Sequence, residues 1–270
     1  MMDLRGASAD SAAVLTDELG GNLGDSTSAA TVADGLFTIA STLRSEAALR
    51  RFVTDASIPA EAKKGLVGEV FGSRVAAGAL TVLTSAVGRR WTAPRDLADT
   101  LEHLSVVALV KAAGTDSGRL ADELFAFAQA VKDNPELRDA LSDPARSAGD
   151  KGGLIAALLG GKALPSTITL AQQALSGSYR TVSVALAAYQ RTAAEVHGEG
   201  VATVRVAREL TDAETRRLAD VLSAQYGRPV HLNLLVDPTV LGGIRVEIGD
   251  DVIDGTVASR LDDARRKISG

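Results

Sequence analysis

Three histidines, His103, His197 and His231, are the first side chains to weigh for metal or acid–base chemistry. No two stand one helical turn apart, and the chain has no Cys, so the spacing offers no zinc site. The missing Cys also excludes disulfides, thiolate ligands and a thiol nucleophile. Gly160-Gly161-Lys162 echoes part of a phosphate loop. It lacks the Gly five places before Gly161 and the Ser or Thr after Lys162, and it follows a helical segment, so it reads as a helix-end turn. Gly242-Gly243 precedes a strand pattern, and no G-x-G-x-x-G exists, so no dinucleotide fingerprint is present. Gly177-Ser178-Tyr179 lacks the frame of a nucleophile elbow. Asp250-Asp251 and Asp262-Asp263 read as turn and helix charges. Trp91, between Arg89-Arg90 and Pro94, is either a partner anchor or packing at a helix junction. The residues assemble no catalytic constellation. They predict a non-enzymatic protein without cofactor or metal, whose work is binding other proteins.

The scaffold that carries them is 270 residues long, enough for about two domains of roughly 150 residues, or three small ones. Aromatics make up only 3%, so the core must be Ala, Leu and Val, which suits closely packed helices. A formal charge of −5 argues against nucleic acid and against direct docking on an anionic membrane. The longest apolar run, Leu104 to Val110, stops at Lys111, far short of the roughly 20 residues of a membrane span. Asp3, Asp10, Asp17 and Glu18 leave no room for an apolar signal segment. The expectation is a cytosolic protein, or one that reaches a membrane only through partners.

The chain repeats itself. Leu137-Arg138 follows Leu49-Arg50 by 88 positions, and the same offset joins Asp34, Leu36 and Phe37 to Asp122, Leu124 and Phe125. It also joins Asp55 to Asp143, Lys63 to Lys151, Gly65-Leu66 to Gly153-Leu154, and Gly72 to Gly160. Residues 34–87 align with 122–175 without a gap, with 14 identities in 54 positions. A solenoid needs about three such units, so two copies indicate a duplicated domain.

Both copies read as helical. Leu36, Ile39, Ala40 and Leu43 share one helix face, and Leu124, Phe127, Ala128 and Val131 repeat it. Asn134-Pro135 ends the second of these helices. Ile58-Pro59 and Asp143-Pro144 predict further helix starts. Leu154, Ile155, Leu158 and Leu159 form an apolar face closed by Gly160-Gly161. Pro165 opens a helix with Ile168, Ala171, Gln172 and Leu175 on one side, and a long helix follows from about Thr181 to Val196. The stretch from Pro94 to Ala113 reads as one helix shared by both bundles.

After about Gly198 the period changes. Ala202, Val204 and Val206 alternate as a strand. Thr211 and Glu214 form a capping box for a helix with Leu218, Val221 and Leu222 inward and Gly227 closing it. Leu232, Leu234 and Val236 make a second strand, and Ile244, Val246 and Ile248 a third. Asp254 is read as the cap of a final helix with Leu261 and Ile268 inward and Arg260 and Arg265 outward. The fold class is therefore mostly α: two tandem, duplicated six-helix-type bundles over residues 1–99 and 100–197, then a small α/β domain of order β-α-β-β-α over 198–270.

The tail from Val236 to Leu261, V-D-P-T-V-L-G-G-I-R-V-E-I-G-D-D-V-I-D-G-T-V-A-S-R-L, resembles the C-terminal signature of the delta subunit of rotary ATP synthase. That family is the bacterial counterpart of the mitochondrial oligomycin-sensitivity-conferring protein. N-P-E-L-R-D-A-L-S-D-P from Asn134 and Leu-Leu-Gly-Gly-Lys from Leu158 are similar to it as well. Residues 1–99 are extra to the usual family length and resemble the longer actinobacterial members. The resemblance implies a non-catalytic stator subunit of the peripheral stalk. It would join the alpha/beta ring to the membrane-anchored b subunit, so that the ring does not spin with the rotor during proton-driven ATP synthesis. It implies a place at the cytoplasmic face of the plasma membrane, with the membrane touched only through b. By the same resemblance, the N-terminal helix of an alpha subunit lies between the first and fifth helices of a bundle. In the second copy that groove maps to Leu104, Val107, Ala108 and Lys111, with Ile168, Ala171 and Leu175 opposite. The sequence departs from the family by lacking Tyr-Ala-Lys-Ala in the first helix and by carrying Ser176-Gly177-Ser178 at the end of the fifth. Arg260 and Arg265 are candidates for b or ring contact, or for a solvated basic face. Gly242, Gly243 and Gly255 read as structural turn residues. The alternative from another class is a helical adaptor in a different cytosolic complex.

Overall fold

The computed structural model describes residues 4–240, 242–249 and 251–257. The chain divides into two compact units, Met1–Ala193 and Ala194–Gly270.

The first unit is helical. Its helices are α1 (Ala7–Asn22), α2 (Ser26–Ser45), α3 (Ala47–Thr54), α4 (Ala60–Phe71), α5 (Ala77–Val87), α6 (Pro94–Ala113), α7 (Ser117–Asp133), α8 (Pro135–Ser142), α9 (Ala148–Leu159), α10 (Pro165–Gln173) and α11 (Val182–Val196). The starts of α8, α9, α10 and α11 each lie 88 positions after those of α3, α4, α5 and α6. The face expected from Leu36, Ile39, Ala40 and Leu43 is fully buried.

The helix α6 is the spine. Pro94 supplies a preset φ in its first turn, and Asp96 accepts the Ala93 N–H at 3.1 Å. Residues round its whole circumference are buried, among them Leu97, Leu101, Leu104, Val106, Val107, Ala108, Leu109 and Val110. It packs against α1, α2 and α3 and also against α7 and α10. It crosses residues 99 and 100, where the sequence placed a division, as one continuous helix. Trp91 is half-buried before it and donates Nε1–H to the Ala86 carbonyl at 3.0 Å, tying the end of α5 to the next turn.

Some helix expectations change. Asp143-Pro144 does not open a helix. The Asp143 carboxylate accepts the Ala145 N–H at 2.8 Å in a local turn, and α9 begins after Ser147, whose hydroxyl accepts from the Asp150 N–H. Within α9 Ile155 is buried, but Leu158 is 38% exposed, because only a narrow stripe of this helix meets α10.

The second unit holds β1 (Gly200–Val206), α12 (Asp212–Tyr226), β2 (Val230–Val236), β3 (Ile244–Ile248) and β4 (Asp251–Asp254). The sheet order is β2-β1-β3-β4, with β2 parallel and β3 antiparallel to β1. Ala202, Val204, Val206, Leu222, Val246 and Ile248 make its core, and Leu218, Leu232, Leu234 and Ile244 pack against it. The capping box is formed, and Gly227 closes α12 at φ 67°. Val221 is 55% exposed, since a residue next to Leu222 points about 100° round the helix from it. Val236, the last residue of an edge strand, is 49% exposed. A fourth strand, β4, replaces what the sequence read as a plain turn before Asp254. The final helix with Leu261 and Ile268 lies outside the described residues.

Candidate functional site

The groove residues fall into two groups. Leu104, Val107 and Ala108 on α6 and Ala171 on α10 are 0–4% exposed and belong to the buried core. Lys111 is exposed, with Nζ near Gly20 of α1, and Ile168 and Leu175 are half-buried. The α6/α10 seam is held by polar contacts that patterning does not reveal. The Ser105 hydroxyl donates to Gln173 Oε1 at 3.3 Å inside the core. The Leu164 N–H and the Thr167 hydroxyl both donate to Glu123 Oε2, at 2.8 and 2.6 Å, fixing the start of α10 on α7. Burial pushes the Glu123 carboxyl upward, but the hydrogen bonds from Thr167, Leu164 and Arg119 outweigh it and leave it below the usual range.

A second cluster escaped the sequence reading. Glu102, 2% exposed, stands among the apolar residues of α6. Its carboxylate accepts the Tyr189 hydroxyl at 2.8 Å, the Ser178 N–H at 2.8 Å, and Nη2 of Arg44. Tyr179 meets the Tyr189 ring edge-on, with centroids 5.8 Å apart. Burial and the nearby Glu102 charge push both tyrosine hydroxyls up, and burial raises the Asp99 carboxyl beside them. A cleft of about 640 Å³ opens above this cluster, lined also by Arg50, Arg95, His103 and Arg191. The available signal was an acid, Glu102, set between Leu101 and Leu104 in the part of α6 that is most continuously buried.

The glycine motif of the second unit is structural. Gly243 sits at φ 83°, and a Cβ there would collide with the Gly255 carbonyl oxygen and crowd the Thr256 Cα. The Gly255 N–H donates to Ile244 O at 2.9 Å and the Val257 N–H to Gly242 O at 3.0 Å, which extends the β3–β4 ladder. Asp254 accepts from the Thr256 N–H and hydroxyl at 3.0 and 2.7 Å, which closes the turn after β4. Arg260 and Arg265 lie outside the described residues. Among the described residues no group of three or more His, Cys, Asp or Glu could hold a metal ion, and no helix is long and apolar enough to cross a membrane.

Glu102, Ser105 and Thr167 bond from one helix to another, to Tyr189, Gln173 and Glu123, which is how a helical scaffold is held together. Residues 106–268 match the family model described as ATP synthase delta (OSCP) subunit. The ATP synthase subunit delta of a Nocardioides species is 57% identical over 100% of this chain and 98% of its own length. Those of Kineococcus radiotolerans and Streptomyces avermitilis are 42% and 39% identical, over 88% and 99% of this chain and 87% and 100% of theirs. The chain belongs to the ATP synthase delta (OSCP) subunit family, and it is a structural, non-catalytic subunit. The match does not favour an adaptor in some other complex.

Proposed function

We propose that this chain is a stator subunit of the peripheral stalk, holding the alpha/beta ring against rotor torque during proton-driven ATP synthesis. The full-length similarity to an ATP synthase subunit delta carries this reading. The N-terminal helix of an alpha subunit docks along the α6/α10 seam. Amphipathic helices bind grooves through anchors at i, i+3, i+4 and i+7, and the half-buried Ile168 and Leu175 are apolar side chains on α10 and just after it that could receive such anchors. The b subunit is held through the C-terminal domain, with Arg260 and Arg265 as contact candidates. The chain then sits at the cytoplasmic face of the plasma membrane and meets the membrane only through b.

The matching helix starts support two tandem copies of a six-helix-type bundle that share α6, with domains near 1–99, 100–197 and 198–270. The extra copy adds a second brace, against another alpha subunit or against b. Removing residues 1–90 would strip α1, α2 and α3 from the buried faces of Leu97 and Leu101, so a surface change such as Val14→Asp, at a 40% exposed side chain, tests the brace more cleanly.

The reading is tested on membrane vesicles stripped of this subunit. Adding the chain back should rebind the catalytic head and restore ATP-driven proton pumping. Pumping that is indifferent to the chain, with no co-purification of alpha and b, refutes it.

A further inference from the structure

Glu102 gathers three donors from three separate stretches of chain. Oε2 takes Arg44, near the end of α2, and the Ser178 N–H from the segment after α10. Oε1 takes the Tyr189 hydroxyl from α11. The surroundings are shaped for it. A Cβ on Gly177 would run into the Glu102 carboxylate and lie 3.1 Å from the Tyr189 hydroxyl. Arg50 donates to the carbonyls of Leu43 and Arg44 at 2.7 and 2.8 Å, which closes α2 and fixes where Arg44 emerges. Arg44 reaches on to the Ala98 carbonyl at 3.4 Å and to Asp99 at 3.5 Å.

The Arg50 bond to the Arg44 carbonyl recurs as Arg138 to the Lys132 carbonyl at 3.5 Å, but the Glu102 contacts lie outside the repeated pattern. At the 88-residue offset, Val14 stands for Glu102, Arg89-Arg90 for Gly177-Ser178, and Leu101 for Tyr189. The cluster exists only where the first copy, through Arg44, meets the second, through Ser178 and Tyr189. It also gives the Ser176-Gly177-Ser178 departure from the family pattern a physical reason.

We propose that the Arg44–Glu102–Tyr189 cluster is a positioning joint that locks the extra N-terminal copy to the second, so that residues 1–193 act as one stiff arm rather than two hinged bundles. The inference rests on the duplicated-bundle reading above. Apolar contacts between Ala- and Leu-rich helices are non-directional and tolerate sliding. A buried carboxylate with three directed, partly charge-assisted bonds does not. Arg44 Nε and Nη1 are buried without a partner among the described residues, so the pair is not arranged for greatest stability, and orientation is what it supplies. One compact unit spans both copies, as a locked arm requires.

The chain has no Cys, so introduced cysteines label only the chosen places. Spin labels at the exposed positions Glu69 on α4 and Ala157 on α9 report the distance between the copies in the purified full chain. The wild type should give one narrow distribution. Arg44→Met and Glu102→Gln should widen it at least twofold, and the double variant should add little to either. Leu36→Ala, a cavity in the core away from the joint, should lower stability yet keep the distribution narrow. Where Arg44→Met does not fold, Tyr189→Phe removes a single hydrogen bond and is read in the same way. Narrow distributions in the joint variants, or equal widening by Leu36→Ala, overturn the proposal. No ATP synthase enters the measurement, so its failure is separate from failure of the stator reading.

Discussion

Thr167 donates its hydroxyl to Glu123 at 2.6 Å, and this bond ties the start of α10 to α7. Thr167 is fully buried, so removing its acceptor strands a buried hydroxyl along with the Leu164 N–H. Glu123→Ala should cost about 1–3 kcal/mol in urea unfolding. Thr167→Val should cost less, since it removes the stranded group itself.

The seam separates core from contact residues. Leu104→Ala should destabilise the chain by about 2–5 kcal/mol, because it opens a cavity at a fully buried site. Lys111→Glu combined with Leu175→Asp should cost less, about 1–2 kcal/mol, at an exposed and a half-buried position. The same pair should weaken binding of an alpha N-terminal helix peptide at least tenfold by calorimetry. Unchanged binding would move the docking surface elsewhere.

Gly243→Ala forces a side chain into a left-handed backbone position and against Gly255, at a cost of at least about 1–3 kcal/mol. The loss should be local. Amides of β3 and β4 should exchange faster, while the fluorescence transition of Trp91, in the first unit, stays where it was.

Acid should loosen the α12 cap. Hydrogen bonds from Arg208 and Thr211 hold the exposed Glu214 carboxyl down at about 2, against an ordinary value of 4.5. A folded-state value below the unfolded one means that the stabilisation is complete above 4.5 and vanishes as pH falls through 2. The gap in thermal midpoint between wild type and Glu214→Gln should therefore be open at neutral pH and close across that window. Added salt should shrink it, because Arg208 is 66% exposed and screened.

Periodicity, Pro and Gly placement and the 88-residue echo made most of the helical body legible, because helix faces and caps are local properties. Pro94 and the capping pair Thr211 and Glu214 mark helix starts where the structure has them. Asp143-Pro144 misled because an Asx turn and a helix start look alike until the chain beyond Ser147 is seen to turn. The tail motif carried the family resemblance, and in the structure its Gly243 and Gly255 meet within one hairpin.

What the residues could not disclose was which side of each apolar stripe would face a neighbour. Leu104, Val107 and Ala108 share a stripe with Lys111, yet only Lys111 reaches solvent, because α2, α7 and α10 close on α6 from several directions. Glu102 looked like one acid among many. Its role depends on Arg44, 58 residues before it, and Tyr189, 87 residues after it, and no local pattern encodes contacts across such separations. The sequence by itself determined most of the helices, the repeat and the family. The tertiary structure decided burial and the partners of buried charge, because those depend on which surfaces the folded chain brings together.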